Sequence, residues 1–300
     1  MKDLKPMQLI AFSLRRSGST AFWKIFEKHP DYLALDEPCS PLLSRLPDMN
    51  KKETWADLIA IYKMNPDFFR QKYFPVTKKL ELTTECPDQL IDYFKFLVQD
   101  KENWFIDMTR CHLKVAGLSK AFPEVKAIHL FRKPKGFVTS HMLPSYGRLN
   151  FFKQTSIYKH YFWRRQSGFN NWSIELLYNR WFYNLAYLFP QLDIPDHALK
   201  VEKSHEKLLL YWLFHYRYME KYGRDSFGDR YSKVCFDELC NGTMESDKSY
   251  ILNIKILNDI NNMDYSHLRP VNPGYSTENI RWANAMKKVG FTSEEISEWG

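Results

Sequence analysis

The sequence predicts an α/β fold of three layers, with a central parallel sheet of about five strands flanked by helices. Short apolar runs at Leu9 to Phe12, Tyr32 to Leu35, Trp104 to Met108, Val125 to Phe131 and Lys233 to Phe236 have the length of buried strands. Between them lie stretches with helical spacing, giving the strand–helix–strand rhythm of a doubly wound sheet. A length of 300 residues with 44% hydrophobic content suits one large domain, so residues 1–300 are read as a single domain.

The formal charge of +8 is spread among 35 acidic residues and forms neither a tail nor a block. It suits a small polyanionic ligand better than a long nucleic-acid footprint. The five cysteines, Cys39, Cys86, Cys111, Cys235 and Cys240, are odd in number and lack metal-ligand spacing, which argues against a disulfide scaffold or a zinc site. The N-terminal apolar run is too short for a signal peptide, and no stretch is long enough to span a bilayer. The expectation is a cytoplasmic protein with no membrane partner, in which the sequons at Asn171 and Asn241 are chance matches.

Taken in order, the first strand runs into FSLRRSGST, Phe12 to Thr20, and then into a helix predicted over Ala21 to His29. A small-residue turn between a strand and a helix is an anion site. Gly18 lets the backbone approach a ligand, Ser17, Ser19 and Thr20 bring hydroxyls, and the first helical N–H groups point at the guest. Arg15 and Arg16 add positive charge, so the guest is a phosphate or a similar oxyanion. His29-Pro30 stops the helix, and the second strand ends at Asp36-Glu37-Pro38. Ligands of open parallel sheets bind beyond the strands' carboxyl ends, which places Glu37 for chemistry; capping the next segment or pairing with an arginine is its alternative role.

From Pro41 to Thr84 the chain is loop and helix by turns, punctuated by Pro47, Pro66 and Pro75. Leu90, Ile91, Phe94, Leu97 and Val98 form the core stripe of a helix over Pro87 to Val98. The strand at Trp104 to Met108 leads into Thr109-Arg110-Cys111-His112 and a helix to about Phe122. Arg132-Lys133-Pro134 breaks the next strand, and the helix after it carries Ser140 and His141. Arg132, at a strand's carboxyl end, and Ser140, eight residues on, could close on one anion.

Residues 145–200 read as a helical segment on the substrate side, with Tyr146 to Asn171 as a loop or lid. Its rings are interleaved with Lys153, Lys159, Arg164 and Arg165; most belong to the core and some line a pocket. Ser204 to Tyr222 reads as a long helix ended by Gly223, and two or three helices with a loop over Arg269 to Gly274 follow Ser249.

A P-loop nucleotide hydrolase needs G-x-x-x-x-G-K-[ST]; this chain lacks the first glycine and the lysine. The combination instead resembles the sulfotransferases that use 3′-phosphoadenosine-5′-phosphosulfate (PAPS), whose fold is P-loop-like. Arg16 to Thr20 match the RSGST loop of their carbohydrate and bacterial members, and Arg132-Lys133-Pro134-Lys135 with Ser140 match their 3′-phosphate segment. His29-Pro30 with Glu37-Pro38, Ala121-Phe122-Pro123 and Val234 to Leu239 are smaller echoes in the expected order. Arg15 stands where the family has a proline, and the RKG segment of the cytosolic branch is absent, with Arg269, Arg281 and Trp282 as candidate substitutes.

The resemblance implies a sulfotransferase that binds PAPS, releases adenosine 3′,5′-bisphosphate and needs no metal. Arg16 would stabilise charge on the leaving phosphate oxygen, Arg15, Ser17, Gly18, Ser19 and Thr20 would hold the 5′ end, and Arg132 and Ser140 the 3′-phosphate. Glu37 or His112 would be the general base, Glu37 being preferred because the loop follows the carbohydrate and bacterial pattern. The acceptor would be a small molecule of secondary metabolism sulfated on a hydroxyl or an amine, and Asp36, Glu37 and Asp107 could suit a cationic one. A carbohydrate or lipid-linked sugar is the alternative acceptor. A nucleotide kinase-like phosphotransferase and a nucleic-acid-binding protein are more remote alternatives.

Overall fold

The computed structural model describes residues 7–48, 55–99, 101–142, 184–240 and 280–300. The expected lid at 146–171, both sequons and the loop over Arg269 to Gly274 lie outside them. Two compact units form, Met1–Phe131 with Tyr218–Asp264 and Arg132–Arg217 with Tyr265–Gly300. Among the described residues no helix is long and apolar enough to cross a membrane.

The first unit is built on five parallel strands, β1 (Gln8–Ser13), β2 (Leu33–Asp36), β3 (Trp104–Met108), β4 (Lys126–Phe131) and β5 (Tyr231–Cys235). Their order is β2-β3-β1-β4-β5, and every pairing is parallel. The strands are apolar almost throughout because a parallel sheet is covered on both faces. The fold class is therefore the α/β sheet flanked by helices that the strand–helix rhythm predicts. The chain leaves β1 to one side for β2 and β3 and returns on the other for β4 and β5. The loop after β1 thus sits where the strand order reverses, the place where open α/β sheets bind ligands.

Helix α1 (Ser19–Glu27) packs its aromatic face on the sheet: Phe26 stacks on Phe105 at 4.0 Å between ring centres, and Trp23 Nε1 donates to the Ala34 carbonyl at 3.0 Å. It begins two residues earlier than the apolar spacing suggests, so Ser19 and Thr20 belong to its first turn. Helices α2 (Ala56–Met64), α3 (Pro66–Lys72), α4 (Lys78–Glu81) and α5 (Asp88–Val98) follow β2. A 3₁₀ turn at His112–Lys114 and α6 (Val115–Ala121) follow β3.

In the second unit, α7 (Pro134–Met142) opens on proline, whose fixed φ and missing N–H suit a helix start. Helix α8 (Ser204–Tyr218) buries Leu208 to Phe214 without a break. Its Trp212 stacks on Phe291 at 5.8 Å and meets Trp299 edge-on at 5.1 Å. Helices α11 (Trp282–Val289) and α12 (Ser293–Trp299) complete this unit, and Thr292 and Glu295 form a capping box on α12.

Beyond α8 the chain takes a π-helical turn at Met219–Gly223 and a short helix, α9 (Arg224–Phe227), before β5 and α10 (Phe236–Cys240). Gly223 does not end the helix as predicted. It keeps helical angles, and a Cβ there would lie 2.8 Å from the Tyr231 ring, so this glycine serves close packing. The terminating glycine is Gly228, with φ of 53°.

Candidate functional site

Five residues, Leu14 to Gly18, connect β1 to α1. The Ser17 N–H donates to the Leu14 carbonyl at 3.1 Å and tightens the turn. Arg16, with φ of 74°, and Gly18, with φ of 90°, both adopt left-handed backbone. Such alternation turns successive N–H groups toward one concave side, a ready anion cradle. At Gly18 a second constraint operates: an added Cβ would lie 2.2 Å from the Phe236 ring, so only glycine fits.

Gly18 is also the residue before α1, so no side chain caps this helix, and its first turn holds no acid. The positive end of α1 is therefore left for a ligand to neutralise. Ser17 Oγ, on a residue 1% exposed, has no hydrogen-bond partner. An unpaired buried hydroxyl costs about 1–3 kcal/mol, a penalty that a bound oxyanion removes. Ser19 is buried beside it and Thr20 is exposed.

Arg15 pairs with Glu81 at the end of α4. Glu81 Oε2 accepts from Arg15 at 2.8 Å and from Arg110 at 3.2 Å, with Glu81 only 3% exposed. One buried carboxylate thus ties the anion loop to the residues that follow β3. Local sequence carries no sign of it, because Glu81 stands 66 and 29 residues from its partners.

A small cleft of about 10 Å³, room for one water-sized group, opens at the carboxyl ends of β2 and β3, lined by Glu37, Cys39, Asp107, Thr109, Arg110 and Cys111 among others. Glu37 reaches it through a left-handed turn, φ 44°, with its N–H bonded to the Asp107 carbonyl at 3.1 Å. Asp107 is fully buried, and its Oδ1 accepts from Ser13 Oγ at 3.0 Å. Burial, and then the neighbouring Asp36 and Glu37 carboxylates, push Asp107 well above the usual carboxylate range. Thr109 Oγ1 is buried without a partner. Burial, reinforced by a hydrogen bond with Cys111, raises the Cys39 thiol and keeps it neutral.

The two base candidates separate here. Glu37 is half-buried and lines the cleft, whereas His112 lies buried in the 3₁₀ turn after Cys111 and does not line it. Next to it Lys114 is fully buried; burial brings its amine down to about 8, and its Nζ bonds the carbonyls of Leu80, at 2.5 Å, and Thr83. Among the described residues no group of three or more His, Cys, Asp or Glu is placed to hold a metal ion.

In the second unit Arg132 and Ser140 share one face of α7. A Cβ at Gly136 would lie 2.8 Å from Arg132 Nε, so the Arg132 side chain folds over the first turn, and Ser140 is one turn farther along. The Arg132 carbonyl accepts from Trp212 Nε1 at 2.8 Å, which fixes its backbone. Ser140 Oγ donates to the Phe137 carbonyl at 2.7 Å and keeps its lone pairs for an incoming donor.

Sequence spacing singles out the loop, Glu37, Arg132 and Ser140 as candidates. Glu81, Thr109, Ser13 and Phe236 are added by tertiary packing alone, and no local signal marks them.

No protein-family model and no curated protein sequence matches the chain. Among solved structures it is similar to the sulfotransferase domain of the Synechococcus PCC 7002 olefin synthase, at 17% identity and a TM-score of 0.40, over 99% of this chain and 89% of that one.

Proposed function

We propose that this chain is a sulfotransferase that moves the sulfuryl group of PAPS to a hydroxyl or amine of a small natural-product acceptor. The observation that carries the proposal is the buried, unpartnered Ser17 hydroxyl at the uncapped start of α1, within Arg16 to Thr20. A site with this hydroxyl, a glycine that admits no side chain and two arginines fits a terminal phosphosulfate.

When bound, PAPS supplies an activated sulfuryl group whose leaving group is a phosphate oxygen. The residues of the chain then have distinct tasks. Ser17, Gly18, Ser19 and Thr20 hold the 5′ end, and Arg16 meets charge that grows on the leaving oxygen. Arg15 belongs to the same grip, its guanidinium oriented by Glu81. Arg132 and Ser140 hold the 3′-phosphate, and Glu37 takes the acceptor proton on a carboxylate oxygen.

Calorimetry with adenosine 3′,5′-bisphosphate in a chelator tests the proposal. Metal-free binding that is lost in Ser17→Ala and Arg16→Ala supports it, together with transfer of label from radioactive PAPS to an acceptor. Absence of that binding, or magnesium-dependent turnover of ATP, would overturn it.

A further inference from the structure

We propose that Asp107 is a neutral hydrogen-bond donor in the cleft, selecting an acceptor that carries a hydrogen-bond-accepting oxygen beside the hydroxyl that reacts. The acceptor half of this inference rests on the sulfotransferase proposal; the protonation state of Asp107 does not.

Asp107 sits in β3 between two strands, in register with Ala11 of β1 on one side and Asp36 of β2 on the other. It is fully buried. The groups that face it are the hydroxyls of Ser13 from β1 and Ser19 from α1, with the carboxylates of Asp36 and Glu37 from β2 and its exit. Arg110, which also lines the cleft, is engaged by Glu81. A charge on Asp107 would be held in low dielectric beside two others of the same sign, with neutral hydroxyls as its donors. The proton stays on the carboxyl instead. Ser13 Oγ already donates to Oδ1, so the proton belongs on Oδ2, which is buried and has no hydrogen-bond partner. A protonated carboxyl is a donor at that oxygen.

Two residues farther on, Thr109 Oγ1 is also buried without a partner, and Thr109 and Asp107 line the same cleft as Glu37. Two carboxyl groups in different environments take different roles. Glu37 accepts the proton of the reacting hydroxyl, while Asp107 keeps its own proton throughout and donates to a neighbouring oxygen. A vicinal diol, an α-hydroxy carbonyl compound or a hydroxy ether satisfies both groups. A simple alcohol leaves Oδ2 and Thr109 Oγ1 unpaired, and sites of that kind discriminate strongly against the analogue that leaves them so. A cationic acceptor would meet one negative charge fewer than three acids suggest.

Asp107→Asn keeps shape and donor capacity without a titratable proton, and it separates the possibilities. An infrared difference between wild type and Asp107→Asn near neutral pH should show a protonated carboxyl band; its absence overturns the inference. Carbon-13-labelled aspartate gives a site-resolved reading: Asp57 is also raised by burial, so an upward-displaced carboxyl that is present in wild type and missing from Asp107→Asn supports the inference, and no such difference refutes it. Raised folded-state pKa means stability present at low pH and lost as pH rises. The melting temperature of Asp107→Asn should therefore gain on wild type as pH rises above the ordinary carboxylate range, and a constant difference contradicts a neutral Asp107. With PAPS as donor, wild type should favour propane-1,2-diol over 1-propanol, and Asp107→Ala should raise KM for the diol about tenfold while Asp107→Asn stays within about threefold. Equal use of both alcohols by wild type sinks the acceptor half. A carboxyl band without binding of adenosine 3′,5′-bisphosphate would sink the sulfotransferase proposal alone.

Discussion

The Phe236 ring closes on Gly18, so that any side-chain carbon at Gly18 would lie 2.2 Å from Phe236 Cδ2. The residue after β5 thereby fixes the turn after β1, and the anion cradle is shaped by a segment more than two hundred residues away in the chain. Gly18 is held by two independent demands, its φ of 90° and the space beneath the ring.

Gly18→Ala should therefore be destabilised by about 2–4 kcal/mol in urea, combining left-handed strain with overpacking. Replacing Phe236 by Leu in the same chain should recover the packing part and leave the backbone part. If Gly18→Ala unfolds like wild type and binds adenosine 3′,5′-bisphosphate unchanged, the ring does not set the loop.

Glu81 receives two guanidiniums in a buried position, at 2.8 Å from Arg15 and 3.2 Å from Arg110. Removing it takes from both guanidiniums the buried carboxylate they share, and breaking a buried ion pair typically costs about 3–5 kcal/mol. We expect that loss in Glu81→Ala by chemical denaturation, with partial recovery when Arg110→Met is added, since one buried charge is then gone. A loss below about 1 kcal/mol would mean that solvent reaches the cluster.

The sheet was legible because its signal is local: Trp104 to Met108 is continuous apolar chain, and the strand occupies those residues. The loop was legible because strand, glycine and helix start are adjacent in sequence. Glu81 was not, because its partners are distant in the chain and its own helix is four residues long. Gly223 misled because a glycine after a helical run has two causes, termination and close packing, and only the Tyr231 ring decides between them. Glu37 was preferred to His112 from the pattern of the loop; that Glu37 lines a cleft between β2 and β3 while His112 lies in the 3₁₀ turn after it was not legible, because the cleft forms only when the two strands pair.

Arg132→Ala gives a test specific to one phosphate. The side chain is 8% exposed and lies along the Gly136 face of α7. A lost charge-assisted hydrogen bond is worth about 1.5–3 kcal/mol, or roughly 10- to 100-fold in affinity. Binding of adenosine 3′,5′-bisphosphate should fall by that factor, whereas adenosine 5′-phosphate, which lacks the 3′ group, should bind as it does to wild type. Equal losses for both nucleotides would refute the assignment.

A last prediction concerns acid. His129 in β4 is buried, and its Nδ1 lies 3.2 Å from the Tyr231 hydroxyl, which donates to Glu220 at 3.0 Å. Burial lowers the imidazole below its ordinary 6.5 despite the nearby Glu220 carboxylate. Glu220 behaves differently: burial alone would raise it, but hydrogen bonding with His129 and the charge of Lys233, 3.0 Å away, hold it down at about 2. For both groups the unfolded chain binds a proton more readily than the folded one, so both contributions to stability are lost as pH falls. The windows differ. His129 acts first, below 6.5, because the unfolded imidazole charges there while the folded one resists. Glu220 acts later, between 4.5 and about 2. Thermal melts should therefore decline in two stages on acidification. His129→Gln should flatten the first stage and also shrink the second, because it removes a hydrogen bond that holds Glu220 down; a first stage of unchanged slope in that variant would assign the titration to another group.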